Sequence, residues 1–169
     1  MDLSKILSIS GKPGLYKMIG ESKNGLVVES FADGKKIPAF AHERISSLKE
    51  ISIYTESDDI ALWKVLKKLN ELQEGKPIEN PKKASSSDLS ALFEKVVPDY
   101  DKDTVYMSDI KKVFSWYNQL LENDMLDFSE QEAEEKEMEE AEGNESEDGS
   151  EEPEEGSQKS EGGSKKTDN

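Results

Sequence analysis

Three aspartates at alternating positions have the spacing that most resembles a metal site. Asp99, Asp101 and Asp103 match the first, third and fifth positions of a calcium-binding EF-hand loop, where carboxylates coordinate the ion. The sixth position is Thr104 instead of the glycine that makes the sharp turn, and the twelfth is Ile110 instead of the bidentate glutamate. We therefore interpret the segment as a solvated acidic loop and predict no metal site.

The other reactive groups are isolated as well. His42 is the only histidine and the chain has no cysteine, which excludes thiolate nucleophiles and Cys-based zinc sites. Residues 10–14 contain two glycines and a lysine but lack the Gly-Lys-Ser/Thr order of a phosphate-binding loop. A glutamate-based general acid and base is left open, although no carboxylate pair stands out. We predict no cofactor, no small-molecule substrate and no enzymatic activity.

The negative charge of the chain is concentrated at its C-terminal end. Residues 129–169 contain 17 acidic and four basic residues, and they account for −13 of the net charge of −16. This segment has no aromatic residue, so it buries too little surface to offset its ordering entropy. We expect a disordered acidic tail over 129–169, with transient helix at 130–142. It acts either as a solubilising segment, which composition favours, or as a docking segment for a basic partner.

The first third of the chain alternates short β-prone runs with turn residues, which predicts a small antiparallel sheet. Asn24-Gly25 and Asp33-Gly34 are turn pairs that favour positive φ, and they separate three strands of a meander. A helical turn at 42–48 and a closing strand follow, the order seen in SH3-like barrels. We predict an SH3-like β-barrel or strongly curled meander over residues 1–55, with strands at 15–21, at 26–31, from residue 37, and at 51–54.

Apolar residues at helical spacing predict three helices after the sheet. Ser57 is a favourable N-cap for the first, Pro98 ends the second, and Ser108 caps the third. A polar segment with two prolines predicts a linker, either pinned to the fold or free. The predicted bounds are 57–74 for the first helix, which covers or bridges the sheet within 56–75, 76–87 for the linker, and 88–128 for an antiparallel helical pair. The fold class is therefore α+β.

Exposed positions at the loops of the sheet and on the first helix are the candidate contact residues. Small barrels often bind RNA or DNA through basic and aromatic surfaces. However, the acidic balance of the chain opposes the attraction to phosphate that supplies most non-specific binding. We therefore expect a protein partner, with nucleic acid as the alternative and no membrane. The candidate partner-binding residues are Tyr16, Lys17, Lys35, Lys36 and Trp63.

Five short segments resemble an uncharacterised bacterial family known only as a domain of unknown function. The resemblance covers most of residues 1–128, excludes the acidic tail and implies a bacterial cytoplasmic protein, but it brings no activity, cofactor or site. No segment has the roughly 18 apolar residues that cross a bilayer, which agrees with a soluble protein. The segments are ISGKPGLY at 9–16, GLVVES at 25–30, ISIYT at 51–55, SDIKK at 108–112 and WYN at 116–118.

We thus expect a non-enzymatic interaction module or adaptor that binds a protein. The alternative is a nucleic-acid-associated small-barrel factor.

Overall fold

A computed structural model describes residues 1–145, which form an α+β fold with four α-helices and a five-stranded antiparallel sheet. A 3₁₀ turn at Leu3–Lys5 precedes the first strand. The strands are β1 (Ile6–Ile9), β2 (Tyr16–Ser22), β3 (Gly25–Ser30), β4 (Lys36–Phe40), β5 (Ile45–Ser47), β6 (Ser52–Ile53) and β7 (Ile60–Ala61), and the helices are α1 (Leu62–Gln73), α2 (Ser86–Val96), α3 (Met107–Glu122) and α4 (Ser129–Glu145).

The predicted meander of three strands is confirmed as β2, β3 and β4. The sheet order is β4-β3-β2-β1-β5, and every pairing is antiparallel. The β2–β3 hairpin turns at Lys23 and Asn24, because Ser22 pairs with Gly25. Gly25 has φ +156°, and a Cβ there would lie 2.1 Å from the Ala39 carbonyl oxygen on β4. The glycine is therefore needed for strand approach more than for the turn itself.

Two parts of the predicted barrel are wrong. The segment expected to form a helical turn contains β5, where Ile45 pairs with Ile9 on β1. The expected closing strand is β6, which instead pairs with β7 in a separate two-stranded sheet. The spacing of Ile45 and Leu48 is compatible with a helical turn, but the Leu48 N–H donates to the Ile6 carbonyl in a strand-like ladder. The five-stranded sheet is open, since β4 and β5 are not hydrogen-bonded to each other.

Helix α1 begins five residues later than the sequence indicates. Ser57 is not its N-cap. Residues 55–58 instead form a turn in which the Asp58 N–H donates to Thr55 Oγ1 at 3.0 Å, and Ile60 then belongs to β7. Ala61 occupies the N-cap position without a capping side chain. Helices α2 and α3 lie where the apolar spacing predicts them, although Ser85 caps α2 and α3 begins one residue before Ser108.

Three consecutive side chains on α3 hold other segments of the chain. The buried Tyr117 hydroxyl donates to the Lys76 carbonyl at 3.0 Å. Asn118 accepts from the Ile78 N–H and donates to the Ile78 carbonyl, both at 2.8 Å. Gln119 Oε1 accepts from the Leu15 N–H at the start of β2, also at 2.8 Å. The polar segment between α1 and α2 is therefore pinned to α3, and so is one end of the sheet.

The sheet and the first three helices share one hydrophobic core. Residues Met1–Ala133 form a single compact unit, so the sequence-defined segments up to residue 128 are parts of one body. A smaller apolar cluster lies within the sheet, around Tyr16 and Val28. The main core combines Leu3, Ile6 and Leu15 from the N-terminal part with Leu62, Leu66, Leu69, Phe93, Phe114, Tyr117 and Leu120 from the helices.

The first part of the tail forms α4 (Ser129–Glu145), which includes the segment 130–142 where the sequence predicts transient helix. Phe128 is buried just before this helix, and Asp127 Oδ1 accepts from the Ser129 N–H at 3.0 Å. Gln131 is only 6 % exposed and donates to the Met1 carbonyl at 2.8 Å. A prediction based on apolar composition does not detect these mostly polar anchors. The remaining tail, 146–169, lies outside the described residues.

None of the helices in the described part of the chain has both the length and the apolar character needed to span a bilayer.

Asn118→Ala is expected to lower the free energy of unfolding by about 2 kcal/mol, because it leaves the Ile78 N–H and carbonyl without their partner. Asn123→Ala is the matched control at the C-cap of the same helix, since the exposed Asn123 side chain bonds only the Gln119 carbonyl among the described residues. Urea denaturation measures both. Equal losses in the two variants contradict the proposed role of Asn118.

Burial raises the pKa of Tyr117 above its ordinary value of 10.0. The folded state therefore favours the neutral hydroxyl, and the stability that this adds is complete below pH 10 and lost as the pH rises above it. We expect the stability advantage of the wild type over Tyr117→Phe, about 1 kcal/mol at pH 8, to shrink between pH 10 and 11. Urea denaturation across this range measures it, and a difference independent of pH contradicts the assignment.

Candidate functional site

Two of the predicted contact residues are packed into the fold. Tyr16 is only 6 % exposed, and its hydroxyl donates to the Pro13 carbonyl at 3.2 Å. Trp63 on α1 is half-buried, and its ring centroid lies 6.4 Å from that of Phe128. Both aromatic rings therefore contribute first to packing, at different places in the fold.

The three predicted contact lysines are exposed, but acidic residues lie among them. Lys17 on β2 and Lys36 on β4 both pair with Glu29 on β3, which lies between them. Lys35 in the adjoining turn forms an ion pair with Asp33 at 3.4 Å. Opposite charges on neighbouring strands stabilise the sheet and divide the positive charge of this face. The lysines therefore do not form an unbroken basic patch.

Lys17 and Glu29 also line a polar concavity of about 350 Å³ beside Asn123 and Met125. Its cation and carboxylate lie on directly paired strand positions. It therefore offers a charged ligand little net attraction.

The acidic loop uses its carboxylates to hold its own turn. Asp101 accepts from Thr104 Oγ1 at 2.7 Å and from the Asp103 N–H at 2.9 Å. These hydrogen bonds, the one from Thr104 first, hold the pKa of Asp101 below its ordinary value of 3.8. Within residues 1–145, no three histidine, aspartate or glutamate side chains converge to hold a metal ion.

His42 and its neighbours form a structural cluster at the end of β4. The imidazole stacks on the ring of Phe40, with centroids 5.7 Å apart and planes 9° from parallel. Glu43 accepts from Lys12 at 2.8 Å and from the Phe40 N–H at 2.8 Å. These contacts, with the Lys12 hydrogen bond first, lower the pKa of Glu43. The carboxylate is thus held ionised as a turn anchor.

An apolar groove lies between β6 and the N-terminal half of α3. Its volume is about 250 Å³, below the roughly 300–1,000 Å³ of pockets that enclose small-molecule ligands. A space of this size suits a few side chains from another protein better than a buried cofactor. We call it the β6–α3 groove, and its lining consists of residues 51–54, Thr104 and Val105 in the loop after α2, and Asp109, Lys112, Val113 and Trp116 on α3.

The wall formed by β6 is an open strand edge. The Leu62 N–H donates to the Ile51 carbonyl, and Ile53 pairs with Ile60, so the backbone groups of residues 51 and 53 point toward β7. Alternation along a strand directs those of Ser52 and Tyr54 to the other side. On that side the Tyr54 carbonyl accepts from the Asp101 N–H at 2.9 Å. The backbone N–H and carbonyl of Ser52 and the backbone N–H of Tyr54 have no backbone partner among the described residues.

The floor and rim of the groove differ in character. Val113 and Trp116 are almost fully buried and form the apolar floor, whereas Tyr54 is 52 % exposed at the rim. Lys112 is exposed there and forms no ion pair with any residue of the described part of the chain. Asp109 is engaged as a helix cap, because it accepts from the Tyr106 N–H at 3.1 Å. The rim therefore presents a cation that forms no ion pair within residues 1–145, beside an exposed aromatic ring.

The predicted contact residues and the groove do not overlap. The sequence assigns residues 51–54 to the closing strand of a barrel and places residue 116 within the helical pair. The only usable signal was Tyr54, a large aromatic residue next to turn residues at the end of a very short strand.

Comparisons with known proteins match two family models to successive parts of the compact unit. Residues 3–48 match a family described as a domain of unknown function, DUF5606, and residues 51–120 match another, DUF6852. A protein from Bacteroides vulgatus, solved by solution NMR as a structural genomics target, is 45 % identical, with a TM-score of 0.63. The match covers 75 % of this chain and 91 % of that one. No curated protein is significantly similar to the present chain. The chain belongs to the same family as the Bacteroides vulgatus protein, an uncharacterised family whose matching models are described only as domains of unknown function.

Proposed function

We propose that the protein is a non-enzymatic interaction module whose β6–α3 groove binds a protein partner. The observation that carries the proposal is the combination, in one small concavity, of an apolar floor, an exposed aromatic rim and an unpaired strand edge. Aromatic residues in well-packed, water-excluding settings contribute most of the energy in protein interfaces. Tyr54 and Trp116 provide such residues at the rim and the floor of the groove.

The size and chemistry of the groove favour contact over catalysis. Its polar side chains are few, and Asp109 is already bonded to the backbone of its own helix. A general acid or base has to lie within hydrogen-bond reach of a bound substrate, and the floor around Val113 and Trp116 offers no such group. An enclosed reaction site also excludes water, whereas this groove opens onto the surface at Tyr54.

The proposal extends to architecture and location. The open sheet is a partly opened SH3-like barrel, which is supported by the return of β5 to the side of β1. The module acts in the cytoplasm of a bacterium, as expected from a chain without cysteine. Nucleic acid is the less favoured partner, because Glu29 separates Lys17 and Lys36.

Site-specific photo-crosslinking in the native host tests the function. A photoreactive benzoyl-phenylalanine at Tyr54 of the full-length chain is expected to form discrete adducts with one or a few proteins, because the residue lies at the groove rim. Phe40 is the matched control, an aromatic residue 40 % exposed on β4. We expect those adducts to be at least about tenfold weaker from position 40, which corresponds to about 1.4 kcal/mol of preference for the groove.

Two outcomes overturn the proposal. Identical protein adducts from both positions indicate non-specific contact. Adducts with RNA or DNA alone, together with salt-sensitive binding to a nucleic acid, support the alternative instead.

A further inference from the structure

The open edge of β6 gives the groove a specific mode of recognition. We propose that it binds an extended segment of a partner protein by strand addition, with an apolar side chain on the groove floor and an acidic side chain beside Lys112. This inference rests on the proposed function and deepens it by naming the chemistry of the partner.

The backbone of β6 provides the first part of the recognition. The N–H and carbonyl of Ser52 and the N–H of Tyr54 point away from β7 along one edge, and none of the three has a backbone partner within residues 1–145. Main-chain hydrogen bonds to such an edge supply affinity when a peptide adds as a strand. The segment at Asp99–Tyr100 already does this beside Thr55, where an antiparallel bridge joins Thr55 to Tyr100. A bound strand pairs with Ser52 and Tyr54, the next positions along the same edge.

The groove floor selects apolar side chains. Ile53 is 6 % exposed, so its side chain faces inward, whereas Tyr54 faces outward. A strand beside β6 alternates in the same way, and its inward side chains reach Val105, Val113 and Trp116. About 250 Å³ of space holds one or two such side chains. The preferred ligand is therefore a short strand with apolar residues at every second position.

The charge at the rim selects an acidic side chain in the ligand. Lys112 forms no ion pair in the described part of the chain, and the neighbouring Asp109 is bound to the backbone of α3. An acidic residue in the ligand gains a charge-assisted contact with Lys112. The chain's own residues 142–169 are acidic but contain no aliphatic or aromatic residue apart from Pro153. They therefore cannot fill the apolar floor, which argues for a partner in trans.

A random nine-residue peptide library displayed on phage, selected against the immobilised full-length chain, tests the inference. We expect enriched peptides to alternate apolar and polar residues and to carry an acidic residue. Binding of a synthetic enriched peptide is then measured by calorimetry, and its site is mapped by amide chemical shifts. We expect shifts at Ser52, Tyr54 and Trp116.

Paired variants separate the components of binding. Lys112→Glu is expected to weaken binding about tenfold, as for the loss of one charge-assisted contact. Lys111→Glu makes the same charge change one residue earlier, outside the groove lining, and is expected to change affinity less than about twofold. N-methylation of the peptide at the amide opposite Ser52 is expected to cost about tenfold or more, because it removes a ladder hydrogen bond. This last test involves no change in the protein, so misfolding cannot explain its result.

The results distinguish the two proposals. Peptides that bind in the groove but tolerate N-methylation at every position overturn strand addition and leave the interaction function standing. Equal effects of the two lysine variants overturn the acidic preference. A selection that yields no binder, or only binders whose shifts lie away from the groove, overturns this inference, while photo-crosslinking from Tyr54 still decides the proposed function separately.

Discussion

The fold depends on α3 as a central support that bonds to segments far away in sequence. Tyr117 bonds Asn70 on α1 and Lys76 just after it, Asn118 bonds the segment between α1 and α2, and Gln119 bonds the backbone just before β2. Three adjacent helical positions point in different directions around the helix, about 100° apart, so one helix can hold three neighbours. A Cβ at Gly14 would lie 2.8 Å from Gln119 Nε2, so a side chain there would displace the amide that bonds the backbone of Leu15.

The groove is a consequence of this support. Its floor, formed by Val113 and Trp116, lies in the middle of the same helix, next to the positions that make those hydrogen bonds. The facing wall, β6, is only two residues long and pairs with β7 on one side. The loop at Asp101 covers part of its other side and stops there, held by the turn around Thr104. An open edge beside an apolar floor therefore follows from how the loop and the helix are anchored.

The sequence predicts the elements that depend on local patterns. Asn24 and Gly25 mark a real hairpin, and the apolar spacing on α2 and α3 places both helices correctly, because burial of one face fixes the period. Short strands are different. The three residues of β5 and the two of β6 are too few to show a period, and their partners lie far away in sequence. Their placement depends on tertiary hydrogen bonds, which no local pattern contains.

The β6–α3 groove could not be predicted from the sequence, for the same reason. Exposed lysines and aromatics near predicted loops are easy to select, but Tyr16 proved to be core and Lys17 proved to be paired across strands with Glu29. The groove joins residues 51–54 to residues 104–116, and this contact exists only after folding. The sequence indicates only transient helix over 130–142, whereas the helix spans Ser129–Glu145 and begins with anchors such as Gln131, which have little weight in an apolar count.

Amide hydrogen exchange of the free, full-length protein tests most directly whether the folded chain leaves this strand edge open. Ile53 pairs with β7, so its amide is expected to be strongly protected, whereas the amides of Ser52 and Tyr54 are expected to exchange at rates close to those of an unfolded chain. Equal protection at all three positions, as in a strand paired on both sides, would contradict the account.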